Sequence, residues 1–268
     1  MLDTPEVKII TGVRWSGKTY FLKEIINKLK EEWVSSENII YISFESYKYK
    51  KIDNDEKVDK LIFNLTKNIE GKIYLFFDEI QHVTNWEVSI NEYRIDMDSD
   101  IYVTGSYSNL IKGVNRSILS GSYIRINMYP FSYKELLTYF SDKKKSALTH
   151  DDEIKIFNNY LNYGGFPGLL AYDYPDKKIT YLTDIYNSIM LKDVIDIEKI
   201  SSVILFERLM EFIVCNIGKI FSAYSIAKYL KLKKYNISTS TVLNYKVCYE
   251  FITFISDKKR RPYWKKNT

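Results

Sequence analysis

The stretch that most constrains the fold is residues 7–33, where an apolar run, a glycine loop and a helical pattern follow without a gap. "VKIIT" (7–11) is short, apolar and rich in β-branched residues, as a buried strand is. Gly12 and Gly17 then bracket four residues, and Lys18 and Thr19 follow directly. Beyond them Phe21, Leu22, Ile25, Ile26, Leu29 and Trp33 recur at helical spacing. A strand, a glycine loop and a helix in this order let backbone N–H groups and a helix N-terminus cradle phosphate oxygens. Gly12, Val13, Arg14, Trp15, Ser16, Gly17, Lys18, Thr19 and Tyr20 are therefore candidate nucleotide-binding residues. Lys18 would meet the β- and γ-phosphates of ATP, and the Thr19 hydroxyl would ligate Mg²⁺. Gly17 is expected where a side chain would collide with a phosphate.

The chain downstream supplies the matching acids. "IIYISF" (39–44) is a second strand, and Val58, Leu61, Ile62, Leu65 and Ile69 mark an amphipathic helix. "KIYLFFDEIQ" (72–81) delivers Asp78 and Glu79 at the end of a buried strand. Open parallel sheets bind ligands at that edge. Asp78 would hold Mg²⁺ through water, and Glu79 would orient or deprotonate an attacking water as catalytic base beside Lys18. The alternative is an acidic cap after a core strand, which the glycine loop upstream makes the weaker reading. "DIYVTGSYSN" (100–109) is a further buried strand whose Thr104 and Ser106 are candidates to sense the γ-phosphate or the water; a Gly-Ser turn is the other reading. "YIRINMYPFSYKELL" (123–137) gives a last strand, closed by Pro130, and a helix starting near Ser132.

Strands and helices thus alternate to about residue 130, which predicts an α/β P-loop NTPase core with a mostly parallel sheet over residues 1–133. Helical periodicity takes over in 134–200, broken by "GGFPGLL" at 164–170, and predicts a helical lid. Three helices fit the segment from 203 on, and with the basic "SDKKRRPYWKK" as a wing they suggest a winged helix over 201–268. Ser240, Thr241, Asn244 and Lys246 would lie along its reading helix, and Lys258, Lys259, Arg260 and Arg261 in the wing.

Charge separates these parts more sharply than the net value of +5 suggests. Residues 219–268 hold twelve basic and two acidic residues, whereas 1–218 hold 27 basic and 32 acidic. Such a split suggests that the C-terminal part faces a polyanion such as duplex DNA, although many winged helices bind protein instead. No run approaches the length of a membrane span, and "MLDTPEVKII" is unlike a signal peptide, so a cytoplasmic protein without a membrane partner is expected. Cys215 and Cys248 lie in apolar helical patterns and are expected as buried, reduced thiols. His82 and His150 are isolated and assemble no zinc site.

"GVRWSGKTYFLKEI", "LFFDEIQHVTNWE", "DIYVTGSYSNLI", "LSGSYIRINMYPFSYKEL", "YGGFPGLL" and "MLKDVI" stand in the order of the motifs of one family. Over about residues 5–255 the chain resembles the prokaryotic AAA-type ATPases usually followed by a restriction-nuclease-like domain. The resemblance implies the core ATPase fold of the AAA/ASCE type, a helical lid and a winged helix. It places the phosphate-contacting residues on Gly12, Gly17, Lys18 and Thr19, and the Walker B acids on Asp78 and Glu79. Family members usually continue past the winged helix, whereas this sequence stops at Thr268, so it is either naturally short or truncated, and no nuclease activity carries over. A basic residue is usual where Trp15 stands, and an arginine where Ser122 stands. Arg116, in the loop before, is the better substitute for that arginine, because Arg125 would point to the other face of its strand.

The expected protein is an ATP-binding, slow Mg²⁺-dependent ATPase whose basic winged helix meets duplex DNA or a protein partner. A homo-oligomer is open, since an arginine can act on a neighbouring subunit's nucleotide. The rivals are a switch that binds ATP and hardly turns it over, and a remnant of a longer ATPase.

Overall fold

The computed structural model describes residues 3–105, 119, 121–189, 202–216, 222–235 and 237–244. Contacts divide the chain into two units, Met1–Ile189 and Met190–Thr268.

The first unit is built on five strands, β1 (Val7–Gly12), β2 (Ile39–Ser43), β3 (Ile73–Asp78), β4 (Ser99–Gly105) and β5 (Tyr123–Met128). All neighbours pair in parallel, in the order β2-β3-β4-β1-β5. Thr11 lies level with Gly105, Gly12 with Met128, and Ser43 with Asp78, so the strand C-termini form one edge. Parallel strands covered on both faces need apolar residues at nearly every position, and β1 and β3 are buried throughout. One face carries Val7, Ile9, Leu75, Phe77, Ile101 and Val103, packed with Val58, Ile62 and Ile90 of helices α2 (Asp55–Thr66) and α3 (Trp86–Asp96). The other carries Ile10, Tyr74, Phe76 and Tyr102 against Leu22, Ile25 and Leu29 of α1 (Lys18–Glu31).

Lys8 interrupts the apolar pattern of β1 without leaving the interior. Its ammonium, fully buried, pairs with the equally buried Asp100 and donates to the Thr4 carbonyl. Tyr102 OH (2.9 Å) and the Asp3 N–H (2.9 Å) donate to the other Asp100 oxygen. A buried charge persists only when paired and hydrogen-bonded in this way.

Among the described residues, the unit also holds helices α4 (Tyr133–Lys144), α5 (His150–Tyr163) and α6 (Pro175–Ser188). Capping boxes at Ser132 and Thr149 start the first two. The "GGFPG" break sits tight against the end of the sheet, where the Phe131 N–H donates to the Gly165 carbonyl at 2.7 Å. A Cβ at Gly165 would lie 1.9 Å from the Phe131 oxygen, so no other residue fits there.

The second unit contains α7 (Val203–Cys215), α8 (Ala223–Leu232) and α9 (Thr239–Asn244). Phe206, Leu209, Met210 and Ile213 of α7 bury against Ile226, Leu230, Ile237 and Val242. Ser222 caps α8, and Ser238 accepts from the Thr241 N–H at the start of α9. Cys215 is exposed, contrary to the sequence expectation. It lies two residues beyond Ile213, about 200° further round the helix and off the buried stripe. Cys248, Lys246, Lys258, Lys259, Arg260 and Arg261 lie outside the described residues.

Candidate nucleotide site

The glycine loop joins the C-terminal end of β1 to the start of α1. Gly17 stands at φ +101, and a Cβ there would make only ordinary contacts, 3.8 Å from Met128 and Pro167 side-chain carbons. The left-handed backbone, rather than crowding, is what reserves that position for glycine. Gly12 is fixed by space, since a Cβ would stand 2.4 Å from the Met128 carbonyl oxygen.

Helix α1 starts differently from the helices around it. Its N-terminus has no side-chain cap and no acid in its first turn, whereas α2, α4 and α5 have both. The first N–H groups of a helix need an acceptor. An anion fits a terminus left free in this way. Ser16 Oγ, buried in the same loop, has no protein partner among the described residues. Lys18 is buried, and its ammonium lies 3.2 Å from the Gly12 and Val13 carbonyls and 3.5 Å from Glu79 Oε1. These donors suit phosphate oxygens.

Asp78 gathers three hydroxyls. Thr19 Oγ1 (2.8 Å) and Tyr41 OH (3.0 Å) donate to Oδ2, and Thr104 Oγ1 donates to Oδ1 at 2.5 Å. Burial, and then the neighbouring Asp78 carboxylate, push the Tyr41 phenol well above its ordinary value, so it stays a donor at neutral pH. Thr19 and Asp78 are hard oxygen donors, and no group of three or more His, Cys, Asp and Glu side chains that could hold a metal occurs among the described residues. That donor set fits Mg²⁺, which is commonly bound through few protein oxygens plus substrate phosphates.

Glu79 adopts a left-handed backbone, φ +56 and ψ +50. For a residue other than glycine this costs about 1 kcal/mol or more. Its N–H donates to Thr104 Oγ1 at 3.0 Å, and Gln81 Nε2 donates to its Oε2 at 2.5 Å.

Gly12, Val13, Ser16, Gly17, Lys18, Thr19, Asp78, Glu79 and Thr104 are thus brought to one edge. Thr104 Oγ1 donates to Asp78 Oδ1 and accepts from the Glu79 N–H, which places it between the two acids. Arg14 turns toward Glu45 at 3.2 Å. Trp15, at φ +66, and Tyr20 are exposed. Ser106 and Arg116 lie outside the described residues.

Ser122 is placed at the start of β5, its carbonyl accepting from the Val7 N–H, while Met128 beside Gly12 is at the far end. The six residue steps from Ser122 to Met128 span roughly 20 Å, beyond the reach of an arginine side chain. An arginine at 122 therefore could not serve the phosphate site of its own chain. In the second unit Ser240 is exposed, and Ser240 and Thr241 share their hydroxyls with Ser238 (2.7 and 2.8 Å); Asn244 ends α9.

Sequence reasoning missed Tyr41 and Gln81. Nothing local announces Tyr41, because its role depends on β2 lying beside β3. Gln81 gave a weak signal, a lone amide between Ile80 and His82.

A wholly parallel sheet whose glycine loop and strand-end acids meet at the strand C-termini defines an AAA-type P-loop core. The chain belongs to the AAA domain family, whose model matches residues 4–137. A domain of unknown function (DUF8612) matches residues 154–248. The chain is 33% identical over 243 residues to an uncharacterized protein of Haemophilus influenzae, covering 91% of this chain and 60% of that protein. It is 31% identical over 243 residues to the uncharacterized protein MJ1544 of Methanocaldococcus jannaschii, covering 90% of this chain and 53% of that one. The chain therefore spans little more than half the length of these relatives. Among solved structures, the Orc1 protein of Aeropyrum pernix in complex with DNA aligns with a TM-score of 0.40 and 9% identity, over 93% of this chain and 78% of that one. No helix among the described residues is long and apolar enough to cross a membrane.

Proposed function

We propose that this protein binds ATP with Mg²⁺ at the C-terminal edge of its sheet and hydrolyses it slowly to ADP and phosphate. The observation that carries this reading is the convergence of Lys18, Thr19, Asp78 and Glu79, with Thr19 2.8 Å from Asp78 and Lys18 3.5 Å from Glu79. Lys18 and the free N–H groups of α1 bind the β- and γ-phosphates. Thr19 and, through water, Asp78 would hold Mg²⁺, which would supply positive charge against the phosphate oxygens. Glu79 accepts the proton of a water that attacks the γ-phosphorus.

Lys18→Ala tests the binding step. Losing a hydrogen-bonded charge costs about 1.5–3 kcal/mol, roughly a ten- to hundredfold rise in Kd. An unchanged ATP affinity in the folded variant, measured by calorimetry, would remove the P-loop claim. If ATP binds and no turnover is seen, the protein is a nucleotide-gated switch.

The second unit is assigned to duplex DNA or a protein partner. The support is the excess of basic over acidic residues in 219–268 and a helix succession in which α7, α8 and α9 match the first three helices of a winged helix. Phosphate contacts would give DNA binding a steep salt dependence that flattens when 257–268 are removed. Absence of DNA binding at low salt would favour a protein partner.

A further inference from the structure

Resting on the ATP-binding reading, we propose that Met128, Pro167 and Tyr20 form the seat of the nucleobase, on the side of the glycine loop that faces β5. The order of the sheet gives the direction. Asp78 and Glu79 stand at the end of β3, which lies two places from β1 on one side, and β5 adjoins β1 on the other. Glu79 Oε1 is 3.5 Å from the Lys18 ammonium, so the γ-phosphate of the proposed complex points toward β3. The loop and the helix start hold the α- and β-phosphates, and the sugar and base follow from the α end. The base therefore leaves the loop on its β5 side.

Apolar side chains stand there. A Cβ on Gly17 would lie 3.8 Å from Met128 Cε and 3.8 Å from Pro167 Cγ, so both side chains flank the last glycine of the loop. Met128 and Pro167 are each only partly buried, which leaves surface for a ligand. Tyr20 follows Gly17 by three residues and so lies beside it on the surface of α1, and it is 69% exposed. A thioether, a pyrrolidine ring and a phenol ring suit the flat faces of adenine, which gains from apolar contact and from stacking. Sites for such ligands are lined mainly by apolar and aromatic side chains.

The glycines around Pro167 hold it at this place. A Cβ on Gly165 would stand 1.9 Å from the Phe131 carbonyl oxygen, and one on Gly168 would stand 2.0 Å from the Tyr181 hydroxyl. On one side of Pro167 the backbone thus lies against the chain that follows β5, and on the other against α6. The Phe131 N–H donates to the Gly165 carbonyl at 2.7 Å and fixes the first of these contacts. Pro167 opens the short turn Pro167–Ala171, where its ring sets its own φ. The proline is therefore presented to the glycine loop by a tightly packed segment.

The test compares the binding of ATP with that of inorganic tripolyphosphate, which has the phosphates and no base. Calorimetry with Mg²⁺ would be run on the intact chain, Met128→Ala, Tyr20→Ala and Lys18→Ala. Both seat variants should weaken ATP binding roughly tenfold, the scale of a lost base–aromatic contact, and leave tripolyphosphate binding unchanged. Lys18→Ala should weaken both ligands. Tyr20 is exposed, so its variant keeps the test open should Met128→Ala not fold. An unchanged ATP affinity in either folded seat variant overturns the proposal, as does an equal loss for ATP and tripolyphosphate. An intact chain that binds neither ligand would instead overturn the ATP-binding reading, and this inference with it.

Discussion

Thr19 Oγ1 and Asp78 Oδ2 stand 2.8 Å apart, although 59 residues separate them in the sequence. The contact ties the first turn of α1 to the end of β3, two strands away in the sheet. It also leaves the carboxylate held by hydroxyls alone, with Tyr41 and Thr104 completing the set. In the proposed complex, the lone pairs these donors leave on Asp78 would face a metal-bound water.

Tyr41→Phe removes one of the three without changing the shape of β2. Outer partners of metal-binding carboxylates typically affect affinity ten- to a hundredfold. We expect the Mg²⁺ concentration for half-maximal ATP turnover to rise by roughly tenfold, with a stability loss of only about 1 kcal/mol. A magnesium titration that superimposes on that of the intact chain would show that Asp78 does not depend on Tyr41.

The buried Lys8–Asp100 pair makes a separate prediction about the sheet. Lys8→Met strands the Asp100 carboxylate in the interior, which costs about 3–5 kcal/mol. Replacing both, as Lys8→Met with Asp100→Leu, should recover much of that loss, because the desolvation of both charges is avoided. Urea unfolding of the three chains decides it. A single variant as stable as the parent would mean that Asp100 is already satisfied by Tyr102 and Asp3.

The sequence displayed the elements of this fold more clearly than their partnerships. The apolar runs of β1, β3 and β4 and the helical spacing of α1 and α2 come from local periodicity, and the strand-end position of Asp78 and Glu79 follows from it. Lys8 sits inside an apolar run with nothing nearby to announce its partner, because Asp100 is 92 residues away. Tyr41 and Thr104 depend in the same way on strand order, which a sequence does not display. Cys215 failed for another reason: an apolar neighbourhood does not say which side of a helix a residue occupies. At Ser122 both the strand and a parallel sheet were legible, but only the pairing of β5 with β1 fixes the register, which sets the residue level with the start of β1 and away from the glycine loop.

Alkaline pH should weaken the first unit. Burial, and then hydrogen bonding to Asp3, push the Tyr74 phenol up to about 12. Burial followed by the partner carboxylates Asp78, Asp59 and Asp100 raises Tyr41, Tyr93 and Tyr102 as well. An unfolded tyrosine ionises near pH 10. A pKa raised in the folded state gives stability that is fully present below pH ~10 and is lost as pH rises through the folded values. Urea midpoints taken from pH 9 to 12 should therefore fall steadily above pH ~10, and a flat profile would contradict the burial of these phenols.

The central claim is that Lys18 and Glu79 serve one ATP molecule in different steps. Phosphate release and ATP binding should be measured together, with Mg²⁺, in the intact chain, Lys18→Ala and Glu79→Gln. The account predicts turnover in the intact chain alone, with ATP affinity retained in Glu79→Gln and weakened in Lys18→Ala. Hydrolysis by Glu79→Gln at the rate of the intact chain would contradict it.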